Sequence, residues 1–357
     1  MEEKKIHVIS GINLFSGGTL TIYRDFLKCL KDNGYLTKNK FVIFVHKKEL
    51  FEDYKDDVEM IELPKSRKSY FYRLYYEYHY FKKYSKKHDV ESWFSIHDFS
   101  PIVKAKKQFV YCHNPLPFYN SKTIGLFNYF YGRIYMHLYL KNIKSNDYVF
   151  VQQKWIGDIF SKKRKKLNVA VTRPVSDIVG EPHPIDINKN KIVFFFPSLP
   201  RWFKNFETAC EAISLLKNEN VELRITISGD ENKYSKKIYE KYKNDKRIKF
   251  LGLQSKEEMK KQYNEADCLI FPSKCETWGL PISEFKTTGK PIIVSDLPYA
   301  HDTVGDYHSV AFFNPLNAKE LSTLILDLLN GKNIFNSHKL DYHPDFYDWK
   351  SLVEKIY

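Results

Sequence analysis

The sequence predicts an α/β protein of two domains, each built on a parallel sheet. Three observations carry this. Short apolar runs alternate with longer helical stretches, the pattern of strands joined by helical crossovers. The alternation is interrupted once, from Val171 to Asn190, by a polar run holding Arg173-Pro174 and Glu181-Pro182-His183-Pro184, and then it restarts. The length, 357 residues, exceeds what one core of ordinary size organises.

In the first half the strand-like runs are Ile6–Ser10, Phe41–His46, Ser92–Ile96, Phe109–Cys112 and Tyr148–Gln152. Each is short and apolar, as strands covered on both faces are. Helical stretches fall at Leu20–Asn33, Tyr70–Lys87 and Thr123–Lys144. After the break come strands Ile192–Phe196, Leu223–Ser228, Ile248–Leu251, Cys268–Phe271 and Pro291–Val294. The helices between and after them are Glu207–Lys217, Lys233–Lys241, Lys256–Asn264, Pro281–Thr288 and Ala318–Asn330. The division expected is a first domain over 1–185, a second over 186–340 and a final helical segment over 341–357. Two such domains facing each other place ligands at the carboxyl ends of their strands.

Composition narrows the class. Apolar residues make up 43% and charged residues 28%, which fits a folded globular chain. No stretch approaches the ~18 apolar residues that span a bilayer. Met1-Glu2-Glu3-Lys4-Lys5 lacks the apolar core of a signal peptide, so a cytoplasmic location is expected. Cys29, Cys112, Cys210, Cys268 and Cys275 form no CxxC pair or metal-ligand spacing, so free thiols and no metal site are expected. The net charge of +14 lies entirely in residues 1–180, where 32 Lys and Arg face 18 Asp and Glu; residues 181–357 hold 25 of each. A basic half serves an anionic partner or simple solubility.

The most informative segment is DCLIFPSKCETWGLPISEFKTTGKPIIVSD, residues 267–296. A buried strand ends at Phe271-Pro272-Ser273, a loop carries Glu276, Thr277, Trp278 and Gly279, and Leu280-Pro281 opens a helix, where proline is tolerated. Glycine backbone and helix start offer N–H donors to an anion. Glu276 and Glu284 flank that position and can accept hydrogen bonds from sugar and ribose hydroxyls. Thr277, Gly279 and Leu280 are the donor-binding candidates of this turn. After the first strand of the second domain stands PSLPRWFKNF, residues 197–206, in which Arg201 offers a fork and Lys204 a point charge to a diphosphate. Gly17 and Gly18, between the first strand and first helix, permit close backbone approach to a ligand. His97-Asp98 and His113-Asn114 sit at predicted strand ends; His97 and Asp98 are candidates for contacting an acceptor or supporting the groups that do.

These residues resemble the E-x7-E signature of family-4 retaining glycosyltransferases. The pattern FPS-x-x-E-x-x-GLP-x-x-E is matched over Phe271–Glu284, with Ile248–Gly252, Tyr263–Asp267, Gly289-Lys290-Pro291 and Ser295-Asp296 in agreement around it. The resemblance implies the GT-B fold, two Rossmann-like domains facing across a cleft, with Phe346-Tyr347-Asp348-Trp349 and the following helix crossing back onto the first domain. It implies that Arg201 and Lys204 bind the donor diphosphate, that Gly17 and Gly18 line the site, and that His113 reaches the donor sugar. Glu276, His113, Arg201 and Lys204 are thus the catalytic candidates. The function implied is transfer of a hexose-type sugar from a nucleoside-diphosphate sugar to a glycan or lipid-linked acceptor. The setting implied is bacterial surface-polysaccharide, O-antigen or capsule assembly, without metal, other cofactor or nucleic acid.

An anionic membrane surface is a further expected partner. Tyr70–Lys87 reads YFYRLYYEYHYFKKYSKK and residues 162–166 read KKRKK, a mixture suited to a lipid interface, although the tyrosines fall on all faces and packing accounts for part of them. Two other readings compete. A sugar-nucleotide epimerase of the same fold is disfavoured by the paired glutamates. A basic adaptor binding membrane or nucleic acid without catalysis is disfavoured by the neutral second half and its detailed motif.

Overall fold

In a computed structural model, which describes residues 4–175, 178–217 and 220–357, the chain divides into two compact units. The first comprises residues 1–121, 125–176 and 344–357; the second comprises 122–124 and 177–343.

The first unit holds strands β1 (Ile6–Ser10), β2 (Lys40–Val45), β3 (Glu59–Glu62), β4 (Val90–Ser95), β5 (Lys107–Cys112), β6 (Tyr148–Val151) and β7 (Val169–Val171). They form one sheet in the order β3-β2-β1-β4-β5-β6-β7, with every pairing parallel. Neighbouring residues along a strand feed opposite faces, as the pleat requires. Ile9, Ile43 and Phe94 pack with Phe26 and Leu30 of helix Gly17–Asp32 and with Leu352 and Ile356 of the C-terminal helix Trp349–Ile356. Val8, Val42 and Trp93 pack on the other side with Phe81 and Leu63. The C-terminal segment is therefore part of this unit's core, with Trp349 edge-on to Phe26 at 5.3 Å and Thr172 bridging Phe346 beside β7.

The second unit holds β8 (Ile192–Phe196), β9 (Val221–Ile225), β10 (Ile248–Phe250), β11 (Cys268–Phe271), β12 (Ile292–Ser295), β13 (Tyr307–Phe313) and β14 (Asn336–His338). Their order is β10-β9-β8-β11-β12-β13-β14, parallel except for the antiparallel edge strand β14. Two doubly wound domains in one chain constitute the GT-B fold.

Several details differ from the sequence expectation. The structure adds β3, β7, β13 and β14 to the expected strands; β3 and β14 are short edge strands, Glu59–Glu62 bounded by acids and Asn336–His338 wholly polar, with no long apolar run to mark them. The expected helix Tyr70–Lys87 runs as α-helix Tyr70–Tyr75, π-turn Tyr76–Tyr80 and α-helix Phe81–Ser85. The extra residue of a π-turn rotates the stripe, which buries Glu77 and Tyr78 while leaving Tyr70, Phe71 and Tyr75 at the surface. The expected helix Thr123–Lys144 is interrupted at Gly125 (φ +78°) and continues as Leu126–Leu140. All five cysteines are free thiols.

Candidate functional site

In both sheets the strand order reverses between two adjacent parallel strands, and at such a point the loops leaving their carboxyl ends diverge to opposite faces. In the second unit these strands are β8 and β11. The loop after β8 carries Arg201 and Lys204; the loop after β11 carries Glu276, Thr277 and Gly279. The two loops are fastened together. Phe203 O accepts the amide of Lys274 at 2.7 Å, and the Ser273 hydroxyl oxygen lies 3.2 Å from it. Asn205 donates its side-chain amide to Pro272 O at 2.9 Å and to Pro315 O at 2.8 Å. Asn205 adopts the left-handed conformation (φ +65°, ψ +44°), which asparagine tolerates better than most residues, and so turns the loop sharply into helix Phe206–Leu215.

Lys204 and Glu276 meet at the centre of this arrangement. The Lys204 ammonium lies 2.5 Å from Glu276 Oε1, and the Ser273 hydroxyl donates to the same oxygen at 2.7 Å. Both charged side chains are mostly buried. Arg201, by contrast, is exposed, and its guanidinium makes no hydrogen bond or ion pair among the described residues. The site thus offers one cation held by a carboxylate and a second with its donor fork unused. Such an arrangement suits an anionic group that recruits both. Cys275, next to Glu276, is inert, because burial first and the Glu276 charge second push its thiol well up.

Gly279 ends the loop with φ +98° and ψ +63°, a conformation that L side chains resist; a Cβ there would also press the Phe271 ring at 3.3 Å. Leu280 then opens helix Leu280–Lys286, seven residues long. Trp278 locks the turn: its indole N–H donates to Ser283 Oγ at 2.9 Å and its carbonyl accepts from Thr303. Thr277 is buried in the same turn. Glu284 is exposed on the helix and accepts the Tyr263 hydroxyl on Oε2 at 2.5 Å. Burial, and then the Glu284 charge, raise the Tyr263 phenol well above its ordinary value, so it stays a donor. Tyr263, Ser273 and Asn205 were not singled out by the sequence reading. Each lies inside a quoted motif, and only their partners reveal what they hold.

In the first unit the reversal falls between β1 and β4. Gly17 has φ +63° at the start of its helix, a conformation that favours glycine; Gly17 and Gly18 are both exposed. His97 and Asp98 follow β4, and His113 follows β5. His97 is fully buried, with Nδ1 2.7 Å from Ser10 O and Nε2 hydrogen-bonded to buried Glu77. The carbonyl of Ser10 can only accept, so Nδ1 carries a hydrogen and a single proton lies between Nε2 and Glu77. With both nitrogens engaged, His97 supports the strand ends rather than reaching an acceptor.

Asp98, itself at φ +77°, gathers donors: Oδ1 accepts the amides of His113 at 2.8 Å and Asn114 at 3.1 Å and the Tyr139 hydroxyl at 2.8 Å, while Oδ2 accepts the Tyr135 hydroxyl at 3.2 Å. Arg73 donates to Tyr135 Oη at 3.1 Å and His97 O at 3.0 Å and stacks over Phe99 at 3.9 Å. Burial alone would raise the Asp98 carboxyl, but the nearby His113 and Arg73 and the donated hydrogen bonds hold it below its ordinary value. Burial is the first cause of a lowered His113 pKa, with Asp98 opposing it and His97 and Arg73 adding to it. The His113 ring is seated against Asp98 at 3.8 Å.

Comparison with known proteins places similarity in the second unit and in the fold. Residues 181–341 match the family model described as Glycosyl transferases group 1. The O-antigen chain mannosyltransferase RfbU of Salmonella typhimurium is 30% identical over 110 residues; the match spans 30% of this chain and only 30% of that protein's own length. Among solved structures, sucrose-phosphate synthase of Thermosynechococcus elongatus aligns with TM-score 0.67 at 14% identity, over 92% of this chain and 90% of the other. HepE of Anabaena in complex with UDP-glucose aligns with TM-score 0.63 at 15% identity, over 93% and 92%. At such identities the structural likeness speaks for the fold.

Proposed function

We propose that this chain is a retaining glycosyltransferase that moves a hexose-type sugar from a nucleoside-diphosphate sugar to a glycan or lipid-linked acceptor in surface-polysaccharide assembly. The observation that carries the reading is the Lys204–Glu276 pair at the β8/β11 reversal, in a loop that also carries the exposed Arg201 and inside the segment similar to group 1 glycosyltransferases. The UDP-glucose bound in HepE and the O-antigen role named for RfbU support the donor and acceptor classes.

In this reading the bond between the anomeric carbon and the diphosphate oxygen breaks, and its electron pair leaves with the diphosphate. The acceptor oxygen bonds to the same face of the sugar, and its proton passes to the departing phosphate oxygen. Negative charge grows on the diphosphate, and Arg201 and Lys204 are the cations placed to offset it, as preorganised donors do. The charge role is thereby filled by side chains, and the reaction proceeds without a metal. Lys204 turns from Glu276 to the phosphate, and Glu276 Oε1 becomes available to a sugar hydroxyl. Glu284, anchored by Tyr263, takes the ribose, and Thr277, Gly279 and Leu280 supply the turn against which the donor lies. Gly17 and Gly18, and His113 backed by Asp98, are the first unit's candidates. The acceptor is placed at an anionic membrane on the cytoplasmic side, on the strength of the basic first half, with Lys162–Lys166 among its attachment points.

A panel of UDP-, GDP-, ADP- and CMP-sugars scored by thermal stabilisation tests the donor class. One nucleotide series should raise the melting temperature, and Lys204→Ala should abolish the rise. A chain that no nucleotide sugar stabilises is not this enzyme.

A further inference from the structure

Helix Leu126–Leu140 is apolar on both of its sides. Its inner stripe, Gly132, Tyr135, Met136 and Tyr139, is buried in the first unit. The contact is close: a Cβ on Gly132 would lie 2.6 Å from the carbonyl oxygen of Leu116, so only glycine lets the helix seat there. The outer stripe repeats at helical spacing as Leu126, Phe127, Phe130, Arg133, Ile134 and His137, all exposed. Leu126 is 68%, Phe127 82%, Phe130 63% and Ile134 64% exposed. The neighbouring helix Tyr70–Tyr75 is joined to it by the Tyr70–Tyr131 hydroxyl contact and adds Phe71, 75% exposed. Single exposed apolar residues are ordinary, but a continuous stripe of them on a clamped helix marks an interaction surface.

The charge around it selects the partner. From residue 99 to residue 146 the chain carries seven cations, among them Lys122 and Arg133, and no carboxylate. Arg133, on the outer stripe itself, is exposed and forms no ion pair among the described residues. At about 1.5 Å per residue the 15-residue helix is roughly 22 Å long, short of the ~30 Å hydrocarbon layer, so it suits lying in an interface rather than crossing it. A second copy of the chain is a poorer occupant, because a two-fold contact through this stripe would set Arg133 near its own counterpart with no acid to offset either.

We infer that the outer face of helix Leu126–Leu140, with Phe71 beside it, inserts into the headgroup layer of an anionic lipid bilayer. Its apolar side chains enter the acyl boundary, and Arg133 meets lipid phosphates. This deepens the reading of a membrane-placed acceptor and rests on it. It moves the main attachment from the basic run at Lys162–Lys166 to an apolar face.

The test uses the full chain and sedimentation with vesicles of phosphatidylcholine alone or mixed with phosphatidylglycerol, at low and high salt. Binding to the anionic vesicles is expected, with a fraction that survives high salt. Phe127→Asp combined with Phe130→Asp should lower partitioning about tenfold or more, with the melting temperature and nucleotide-sugar stabilisation unchanged. Phe130→Trp should gain fluorescence quenching by brominated acyl chains. If the double variant binds like wild type while neutralising Lys162, Lys163, Arg164, Lys165 and Lys166 abolishes binding, attachment is electrostatic and insertion is overturned. If wild type ignores anionic vesicles at low salt, the membrane reading and this inference fall together. If the double variant instead dissolves a dimer without changing vesicle binding, the face belongs to a second copy and the inference is overturned. Vesicle binding that depends on Phe127 and Phe130, in a chain that no nucleotide sugar stabilises, would retain this inference and remove the transferase reading alone.

Discussion

The Lys204 ammonium lies 2.5 Å from Glu276 Oε1, with the two side chains only 15% and 13% exposed. Removing one partner of so shielded a pair leaves the other charge short of compensation, so each substitution reports on both. Lys204→Ala should reduce turnover about 10²–10³-fold, the range for losing one preorganised donor to a developing oxyanion. Arg201→Ala, which breaks no internal contact, should do so without a change in melting temperature. Steady-state kinetics in the presence of EDTA checks both points. Full loss in chelator, restored by a divalent ion, would assign the charge role to a metal instead.

The two glutamates should separate kinetically. Glu284→Ala is expected to weaken nucleoside-diphosphate affinity, whereas Glu276→Ala should act mainly on turnover. Tyr263→Phe removes the hydroxyl that donates to the Glu284 carboxylate and should cost about 1.5–3 kcal/mol of nucleotide affinity. Calorimetry with the bare nucleoside diphosphate distinguishes the cases; identical titrations for all three variants would dissolve the assignment.

His113 and Asp98 should behave as a unit. Asp98→Asn keeps the shape but weakens four donated hydrogen bonds and should lower stability by about 2 kcal/mol as well as activity. His113→Ala should lower turnover with a smaller stability loss. A double variant whose deficits simply add would show that the two act independently.

Acid sensitivity should come partly from His7. Its ring sits 2.8 Å from Ser92 Oγ, stacked on Phe41 and edge-on to Tyr357. Burial, only partly opposed by Glu91, lowers its pKa to about 4. Because the unfolded chain takes up that proton first, stability falls as pH drops from the ordinary value of about 6.5 towards 4, by at most about 1.4 kcal/mol per pH unit. Urea midpoints at pH 7 and pH 5 should converge in His7→Gln. A wild-type midpoint that does not change over that interval contradicts the burial argument.

Gly279→Ala should destabilise the second unit by about 1–2 kcal/mol, since φ +98° is strained for any side chain. Nucleotide affinity should fall with it, because Thr277 and Leu280 flank the same turn. Thermal melting with and without nucleotide measures both effects.

The strand–helix alternation, the two sheets and the position of the Phe271–Glu284 turn were legible in the residue pattern. Buried parallel strands such as Phe41–Val45 and Cys268–Phe271 read as uninterrupted apolar runs, and the turn is marked by Gly279 at positive φ and a proline tolerated after Leu280. Which charges meet depends on the packing of segments distant in the chain. Lys204 and Glu276 are 72 residues apart and become partners because β8 and β11 are neighbours in the sheet. His97 and Glu77 are brought together when the π-turn rotates Glu77 inward, which no local propensity encodes. The same holds for the helix Leu126–Leu140. Its apolar residues recur on both faces, so periodicity alone could not assign one to the core. The close seat of Gly132 on Leu116 fixed which stripe is buried and left Phe127, Phe130 and Ile134 facing outward.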